Sequence, residues 1–124
     1  MLFDTDILIW ALRGNAKAIR AIDAIEEKNV SVITTMELFQ GVRNKTERAA
    51  IRRFLIHFNA VPLTENIGHR ASIYIEEYSL KIGIGIADAL IAATAAENGL
   101  TLYTGNARHY RSISEVDLKV FKVH

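Results

Sequence analysis

The stretch that decides the fold is Leu2-Phe3-Asp4-Thr5-Asp6-Ile7-Leu8, near the start of the chain. It opens with a short apolar run of strand length, and a second apolar stretch at residues 7–12 follows the two acids. Asp4 therefore comes directly after a predicted buried strand, where a carboxylate without a partner is costly. The pattern predicts a nearly buried acid at the carboxyl end of a strand, which is where open parallel α/β sheets bind ligands.

Short apolar runs and segments of helical periodicity alternate along the rest of the chain. Strands are predicted at residues 1–3, 30–33, 61–63, 100–103 and 118–121. Because Pro62 cannot donate to a sheet ladder, the run at 61–63 is expected to be an edge strand or no strand. Helices are predicted at residues 7–12, about 16–27, around 49–58, about 66–80 and from about 87 to 99. This alternation predicts one three-layer α/β/α domain over residues 1–124, with a mostly parallel central sheet of four to five strands.

The composition is that of an ordinary globular protein, with half of the residues apolar and 23% charged. The chain has no cysteine, which excludes disulfides, thiolate metal sites and cysteine nucleophiles and makes the cytoplasm the expected location. Neither a membrane span nor a signal peptide is predicted, so no membrane association is expected. Because the net charge is only +1, any affinity for nucleic acid must come from local patches.

Polar side chains stand at the predicted carboxyl ends of several strands. Asp4 follows the first strand, and Glu37 is expected in the first turn of the helix after the second. Asp88 is expected in the first turn of the helix after Gly83-Ile84-Gly85. Thr104 and Asn106 follow the strand at 100–103. These five side chains are expected to converge at one edge of the sheet.

Each of these residues also has an ordinary structural explanation. Thr34 and Glu37 have the spacing of a capping box, Asp88 suits the positive end of a helix, and Thr104 and Asn106 are common turn residues. Three converging carboxylates, however, would raise one another's pKa values unless a cation lay between them. Oxygen ligands favour Mg²⁺ or Mn²⁺ over zinc, and such ions serve phosphate chemistry by activating water. The pattern predicts a phosphodiesterase with these metal ligands: Asp4, Glu37 and Asp88.

Four segments, in this order, resemble the PIN-domain nucleases and, within them, the VapC-type toxins of toxin–antitoxin pairs. They are residues 2–8, Ile33-Thr34-Thr35-Met36-Glu37-Leu38 before Gly41, residues 86–93 and Leu102-Tyr103-Thr104-Gly105-Asn106. The resemblance covers nearly the whole chain. It implies a PIN-like domain acting as a Mg²⁺- or Mn²⁺-dependent endoribonuclease on RNA. It also implies a homodimer that a cognate antitoxin inhibits.

The resemblance also implies roles for single residues. Asp4, Glu37 and Asp88 would bind the metal, and Thr104 and Asn106 would order a carboxylate, a water or a phosphate. Asp6 matches a commonly polar position, although the sequence favours it as the N-cap of the helix at 7–12.

His109 departs from the family pattern. Many relatives have a fourth acid three residues after the Asn, and the missing charge should weaken a second metal site. His109 is expected to be a partly exposed residue near Tyr110, or else to orient a water or contact a phosphate.

The sequence contains two groups of basic residues. Arg108 and Arg111 flank His109 beside the predicted site, and all three are expected to contact substrate. The second group is either a solvated helix face or a contact for an acidic partner, and comprises Arg43, Lys45, Arg48, Arg52 and Arg53. Four aromatic residues are each expected in the core when taken singly, whereas as a set they indicate an interface with another protein: Trp10, Phe39, Phe54 and Phe58. The spacing of the other histidines is not that of metal ligands; these are His57, His69 and His124.

The sequence is also compatible with other functions. A PIN-domain nuclease of RNA processing would have the same site, but a domain without extensions favours a toxin. A catalytically inert PIN-like binding module is favoured only by His109. A haloacid-dehalogenase-like phosphatase would match Asp4-Thr5-Asp6, yet it requires an acidic pair where this chain has Thr104-Gly105-Asn106.

Overall fold

The structure, a computed structural model, describes residues 1–123. Within these residues it has five strands, six α-helices and one 3-10 turn. The elements are β1 (Leu2–Phe3), α1 (Thr5–Leu12), α2 (Ala16–Asp23), β2 (Asn29–Ser31), α3 (Val32–Gln40), α4 (Lys45–Leu55), β3 (Asn59–Val61), α5 (Glu65–Ile82), α6 (Ile86–Glu97), β4 (Leu102–Thr104), the 3-10 turn (Ala107–His109) and β5 (Leu118–Val120).

All five strands are parallel, in the order β3-β2-β1-β4-β5. The order reverses between β1 and β4, which makes their carboxyl ends the topological switch point of the sheet. These two strands pair in register, Leu2 opposite Leu102 and Phe3 opposite Tyr103. Asp4 therefore follows β1 at the same level at which Thr104 ends β4. The predicted α/β class is confirmed, and the sheet is parallel throughout these residues.

Helices cover both faces of the sheet because successive strand residues point to opposite sides. Leu2 and Leu102 pack on one face with α5 and α6. Phe3 and Tyr103 pack on the other face with α1, α2, α3 and α4. Phe3 stacks on Tyr103 with ring centroids 5.8 Å apart, and the edge of Phe58 meets it at 5.9 Å. The predicted three layers are present.

The boundary between β2 and α3 differs from the prediction. Val32 and Ile33, predicted as strand, form the start of α3. The reason is Ser31, whose hydroxyl accepts a hydrogen bond from the Ile33 backbone N–H and caps the helix. Local capping thus overrides the strand preference of two β-branched residues.

Other boundaries shift by a few residues. α2 ends at Asp23 rather than near residue 27, and β4 extends to Thr104. β3 is an edge strand that ends one residue before Pro62, which agrees with the restriction that proline imposes.

The aromatic residues divide between core and surface. Phe54 and Phe58 pack against the core that contains Phe3, whereas Trp10 on α1 is 36% exposed. The prediction of a core position is therefore wrong for Trp10. No helix in the described part of the chain has both the length and the apolar character needed to cross a bilayer. His124, for which no ligand role is predicted, lies outside the described residues.

Candidate active site

Asp4 is the N-cap of α1 and is only 4% exposed. Its Oδ1 accepts a hydrogen bond from the Thr5 backbone N–H, and its Oδ2 accepts one from the Thr104 hydroxyl, each at 2.8 Å. The Thr104 hydroxyl in turn accepts the Asn106 backbone N–H at 2.9 Å. The bond from Asn106 occupies a lone pair on the Thr104 oxygen, which leaves its proton for Asp4. The predicted strand-end position of Asp4 places it in this network.

A hydroxyl group joins Asp4 to Asp88. The Tyr110 oxygen lies 3.1 Å from Asp4 Oδ2 and 3.2 Å from Asp88 Oδ1. Tyr110 is fully buried, and burial together with the charges of both acids raises its pKa far above the ordinary tyrosine value. The hydroxyl therefore keeps its proton and donates to the acids. The sequence does not mark Tyr110 as a site residue, because a buried tyrosine beside a strand has the pattern of a core aromatic.

Asp6 lies in the first turn of α1, beside the same acids. The N-cap of α1 is Asp4, so the prediction that Asp6 caps this helix is wrong. Its Oδ1 accepts the Ile7 backbone N–H at 2.8 Å, and its Oδ2 accepts the Gly105 backbone N–H at 2.9 Å. A Cβ at position 105 would lie 2.6 Å from Asp6 Oδ2, so any larger residue there would displace the Asp6 carboxylate. Asp6 thus fastens the segment after β4 to α1.

Asp88 lies in the first turn of α6, which begins after Gly85 as the sequence predicts. Its Oδ2 lies 3.1 Å from Nδ1 of His109, at the end of the 3-10 turn. His109 is partly exposed, and its ring lies 6.4 Å from that of Tyr110. The predicted surroundings of His109 therefore agree with the structure, and its contact with Asp88 is an addition that the sequence did not reveal.

Glu37 is held by a hydroxyl group on α1. Its Oε1 accepts a hydrogen bond of 2.8 Å from Thr5, whose hydroxyl oxygen lies 2.9 Å from that of Thr34. Because Thr5 has one hydroxyl proton and gives it to Glu37, Thr34 is the donor in the second bond. A relay of hydroxyls thus runs from Thr34 on α3 through Thr5 to Glu37, next to Asp4.

Two expectations for Glu37 are wrong. α3 begins at Val32, so Glu37 lies in the second turn rather than the first. Thr34 and Glu37 do not form a capping box, because Ser31 is the N-cap and Thr34 is buried inside the helix. The ordinary explanation of the Thr34 and Glu37 spacing therefore fails.

Negative charge accumulates around Asp4. Burial and then the charge of Asp6 raise the pKa of Asp4 to about 6, against the lowering effect of the hydrogen bonds from Thr104 and Thr5. The charge of Asp88 adds a smaller increase. Burial likewise raises the pKa of Asp6. A cation between these carboxylates would offset the repulsion that adds to the effect of burial on these pKa values.

A groove of about 680 Å³ opens beside the acids. Its lining includes Asp6, Asn106, Arg108 and Arg111. The two arginines are exposed and adjoin the site, as predicted, and the Asn106 side chain is exposed in the same groove. The second basic group lies elsewhere, in and just before α4, where Arg43 pairs with Glu47 at 2.7 Å.

Comparison with known proteins assigns the family. The family model described as PIN domain matches residues 1–114. The chain belongs to the PIN-domain family. This PIN domain is 37% identical over 114 residues to Ribonuclease VapC10 of Mycobacterium tuberculosis, a match that covers 89% of this chain and 85% of the relative. It is 27% identical over 122 residues to Ribonuclease VapC1 of Methanocaldococcus jannaschii, covering 98% and 86% of the two chains.

Solved structures share the fold of this PIN domain. A chain of a toxin–antitoxin complex from Klebsiella pneumoniae superposes with a TM-score of 0.81 at 30% identity, over 99% of this chain and 97% of that one. A chain of VapBC2 from Rickettsia felis bound to a promoter DNA fragment superposes with a TM-score of 0.85 at 18% identity, over 98% of each chain. The second likeness concerns the fold alone.

The acids of this PIN domain have the chemistry that a hard divalent cation requires, but they do not form a preformed metal site. No group of three acidic or histidine side chains among residues 1–123 is close enough to enclose a metal ion directly. The Tyr110 hydroxyl lies between Asp4 and Asp88 instead, and Glu37 contacts the Thr5 hydroxyl. Mg²⁺ commonly takes only one or two carboxylates and keeps several waters. The clustered charge at Asp4 and the all-oxygen donor set therefore agree with such an ion.

Proposed function

We propose that this PIN domain is a Mg²⁺- or Mn²⁺-dependent endoribonuclease and the toxin of a toxin–antitoxin pair. The observation that carries the proposal is the buried carboxylate of Asp4 at the switch point of the sheet, linked through Tyr110 to Asp88. Its relatives of 27% and 37% identity are named ribonucleases, which supports this activity. The neighbour from a toxin–antitoxin complex supports an antitoxin as partner.

The contacts of each residue indicate its role in the proposed reaction. Asp4 and Asp88 would hold the cation directly, and Glu37, oriented by Thr5, would complete the site through a water or a side-chain movement. Thr104 fixes the Asp4 carboxylate. When bound, a divalent cation neutralises charge on the scissile phosphate and lowers the pKa of water.

Other side chains face the substrate rather than the cation. Arg108, Arg111 and the exposed amide of Asn106 line the groove beside the acids, where they would contact RNA phosphates. His109, partly exposed next to Asp88, would meet a phosphate at the edge of the site.

Assembly and location belong to the same proposal. Exposed apolar side chains on α5 and α6, among them Ile73, Leu80 and Ile86, support a homodimer or another protein contact. Leu80 is 98% exposed, which is unusual for a large apolar residue. A cysteine-free chain suits the reducing cytoplasm.

One observation favours a different function. His109 places a ring nitrogen 3.1 Å from Asp88, so a protonated histidine would supply there the positive charge that a cation supplies in an active nuclease. That arrangement would suit a catalytically inert binding module. Metal dependence separates the two functions, because a module whose charge is already balanced needs no metal.

The test is RNA cleavage by the purified protein, freed of any bound partner, in EDTA, Mg²⁺ and Mn²⁺. We expect cleavage only with metal, and its loss in Asp4→Asn. Asp23→Asn, at an exposed acid at the end of α2, is the matched control and should retain full activity. Absence of cleavage by folded protein on structured and unstructured RNA would favour the inert module.

A further inference from the structure

The groove beside the acids continues across the surface. Val120, Phe121 and Lys122 line both this groove and a second one of about 530 Å³, which reaches Lys17 and Arg20 on α2. The two grooves therefore adjoin at these three residues, and together they are here called the basic track, from Asp6 past the edge of the sheet at β5 to α2. Asp6 is the acid at its one end.

The lining of the basic track is strongly biased in charge. It contains five basic side chains, namely Lys17, Arg20, Arg108, Arg111 and Lys122. Its one acidic lining residue is Asp6, which belongs to the acid cluster. Among residues 1–123, none of the five basic groups forms an ion pair with an acid. A chain of net charge +1 thus concentrates unpaired positive charge on one surface, which suits a polyanion.

Trp10 adds an aromatic ring to the basic track. It lies one helical turn after Asp6, on the same face of α1, and lines the groove. A tryptophan that is 36% exposed at a basic groove has the placement of a base-stacking platform. Positive charge alone would suit an acidic protein segment equally well, whereas a partly exposed tryptophan next to basic side chains favours nucleic acid.

We propose that the basic track binds single-stranded RNA, with Trp10 stacked on a base near the acids and the five basic side chains along the phosphates. This inference rests on the proposed nuclease function and assigns the surface and the stacking residue that its RNA substrate would contact. A single strand is required because a base can stack on a side chain only when it leaves its own helical stack. The track would set the path by which RNA reaches Asp4 and Asp88.

The chain offers a direct probe, since Trp10 is its only tryptophan. Intrinsic fluorescence is followed while a ten-nucleotide oligouridylate is added to the protein in EDTA, which prevents metal-dependent cleavage. We expect quenching of Trp10 that weakens as salt is added. Affinity of the variants is measured separately, by the anisotropy of a labelled oligouridylate.

Trp10→Ala is expected to weaken RNA binding by roughly 5- to 150-fold, the range for loss of one base–aromatic stack. Arg111→Gln and Lys122→Gln should each lower affinity and reduce the salt slope by about 0.7, the value for one phosphate contact with a single strand. Arg48→Gln and Arg52→Gln, at exposed positions of α4 outside the track, are the matched controls and should bind as the unmodified protein does. Circular dichroism verifies that each variant is folded.

The outcomes separate this inference from the nuclease proposal. Quenching in EDTA together with the loss in Trp10→Ala supports the track even if added metal yields no cleavage. Metal-dependent cleavage with unchanged Trp10 fluorescence, or with Trp10→Ala binding within twofold of the unmodified protein, overturns the track and leaves the nuclease standing. Quenching by polyglutamate but not by RNA would assign the track to an acidic protein segment and overturn the inference. RNA that neither binds nor is cleaved overturns both.

Discussion

The hydroxyl of Tyr110 lies 3.1 Å from Oδ2 of Asp4, and the two residues are 106 positions apart in the chain. The same oxygen contacts Asp88, so one phenol spans the acid that follows β1 and the acid that begins α6. A single proton facing two carboxylate oxygens cannot satisfy both fully. The contact therefore holds the acids in place while leaving unsatisfied negative charge between them.

Removal of that hydroxyl tests its role. Tyr110→Phe keeps the buried ring and loses the donor, so we expect the free energy of unfolding in EDTA at neutral pH to fall by about 1.5–3 kcal/mol, as for other hydrogen bonds to charged groups. Urea denaturation measures it. Tyr78→Phe, on α5 outside the site, is the control and should change stability by less than about 0.5 kcal/mol. An equal loss in both variants would mean that the contact with the acids contributes nothing.

Thr104 is expected to matter through its hydroxyl. Thr104→Val keeps the shape but removes the donor to Asp4 and the acceptor for the Asn106 N–H, whereas Thr104→Ser keeps both. We expect the valine variant to cleave RNA roughly 10- to 150-fold more slowly, which corresponds to 1.5–3 kcal/mol for a charge-assisted bond. The serine variant should stay within a few-fold of the unmodified protein. Equal rates for valine and serine in a steady-state cleavage assay would contradict this role.

The raised pKa of Asp4 predicts a pH-dependent stability. In the folded protein Asp4 binds its proton up to about pH 6, whereas the model value for an unperturbed aspartate is 3.8. Between these pH values the folded state binds more protons than the unfolded state, so burial of Asp4 becomes increasingly destabilising as pH rises. Asp4→Asn removes this cost. Its stability relative to the unmodified protein, in EDTA, should rise by about 2 kcal/mol from pH 4 to pH 7.

Urea denaturation of both proteins across this pH range measures the difference. Asp23→Asn, at an exposed acid, is the control and should show no comparable rise. A difference between Asp4→Asn and the unmodified protein that stays constant with pH would mean that Asp4 titrates in the ordinary range.

The position of His109 allows a charge to be added. His109→Asp would place a second carboxylate beside Asp88, so we expect a loss of about 1 kcal/mol or more in EDTA from like-charge repulsion. Mn²⁺ should then raise the melting temperature of this variant more than that of the unmodified protein. His57→Asp, at an exposed position after α4, is the control. An Mn²⁺ response no larger than that of the unmodified protein would show that residue 109 does not face the metal.

The positions of Asp4 and Asp88 were predicted from the sequence because both lie at the ends of recognisable elements. Asp4 comes directly after a strand, and Asp88 opens a helix after a glycine joint, so the parallel sheet brings both toward one edge. Glu37 was assigned to the wrong turn because Ser31 starts α3 earlier than the β-branched residues suggest.

The hydroxyl groups that contact the acids were missed for another reason. Thr5 and Tyr110 have no distinguishing local pattern, and their contacts depend on how α1 packs against α3 and against the residue after the 3-10 turn. The exposure of Trp10 was missed likewise. An apolar helix predicts burial, and only the packed structure reveals that this face of α1 borders the groove.

The proposed nuclease activity depends on a cation held by Asp4 and Asp88, and an Mn²⁺ titration tests this dependence most directly. Free Mn²⁺ is measured by electron paramagnetic resonance, and RNA cleavage is measured in the same samples. We predict that bound metal and cleavage rate rise with a common midpoint, and that Asp88→Asn weakens binding and abolishes cleavage while Asp23→Asn changes neither. Cleavage that proceeds in EDTA, or Mn²⁺ binding that Asp88→Asn leaves unchanged, would contradict the account.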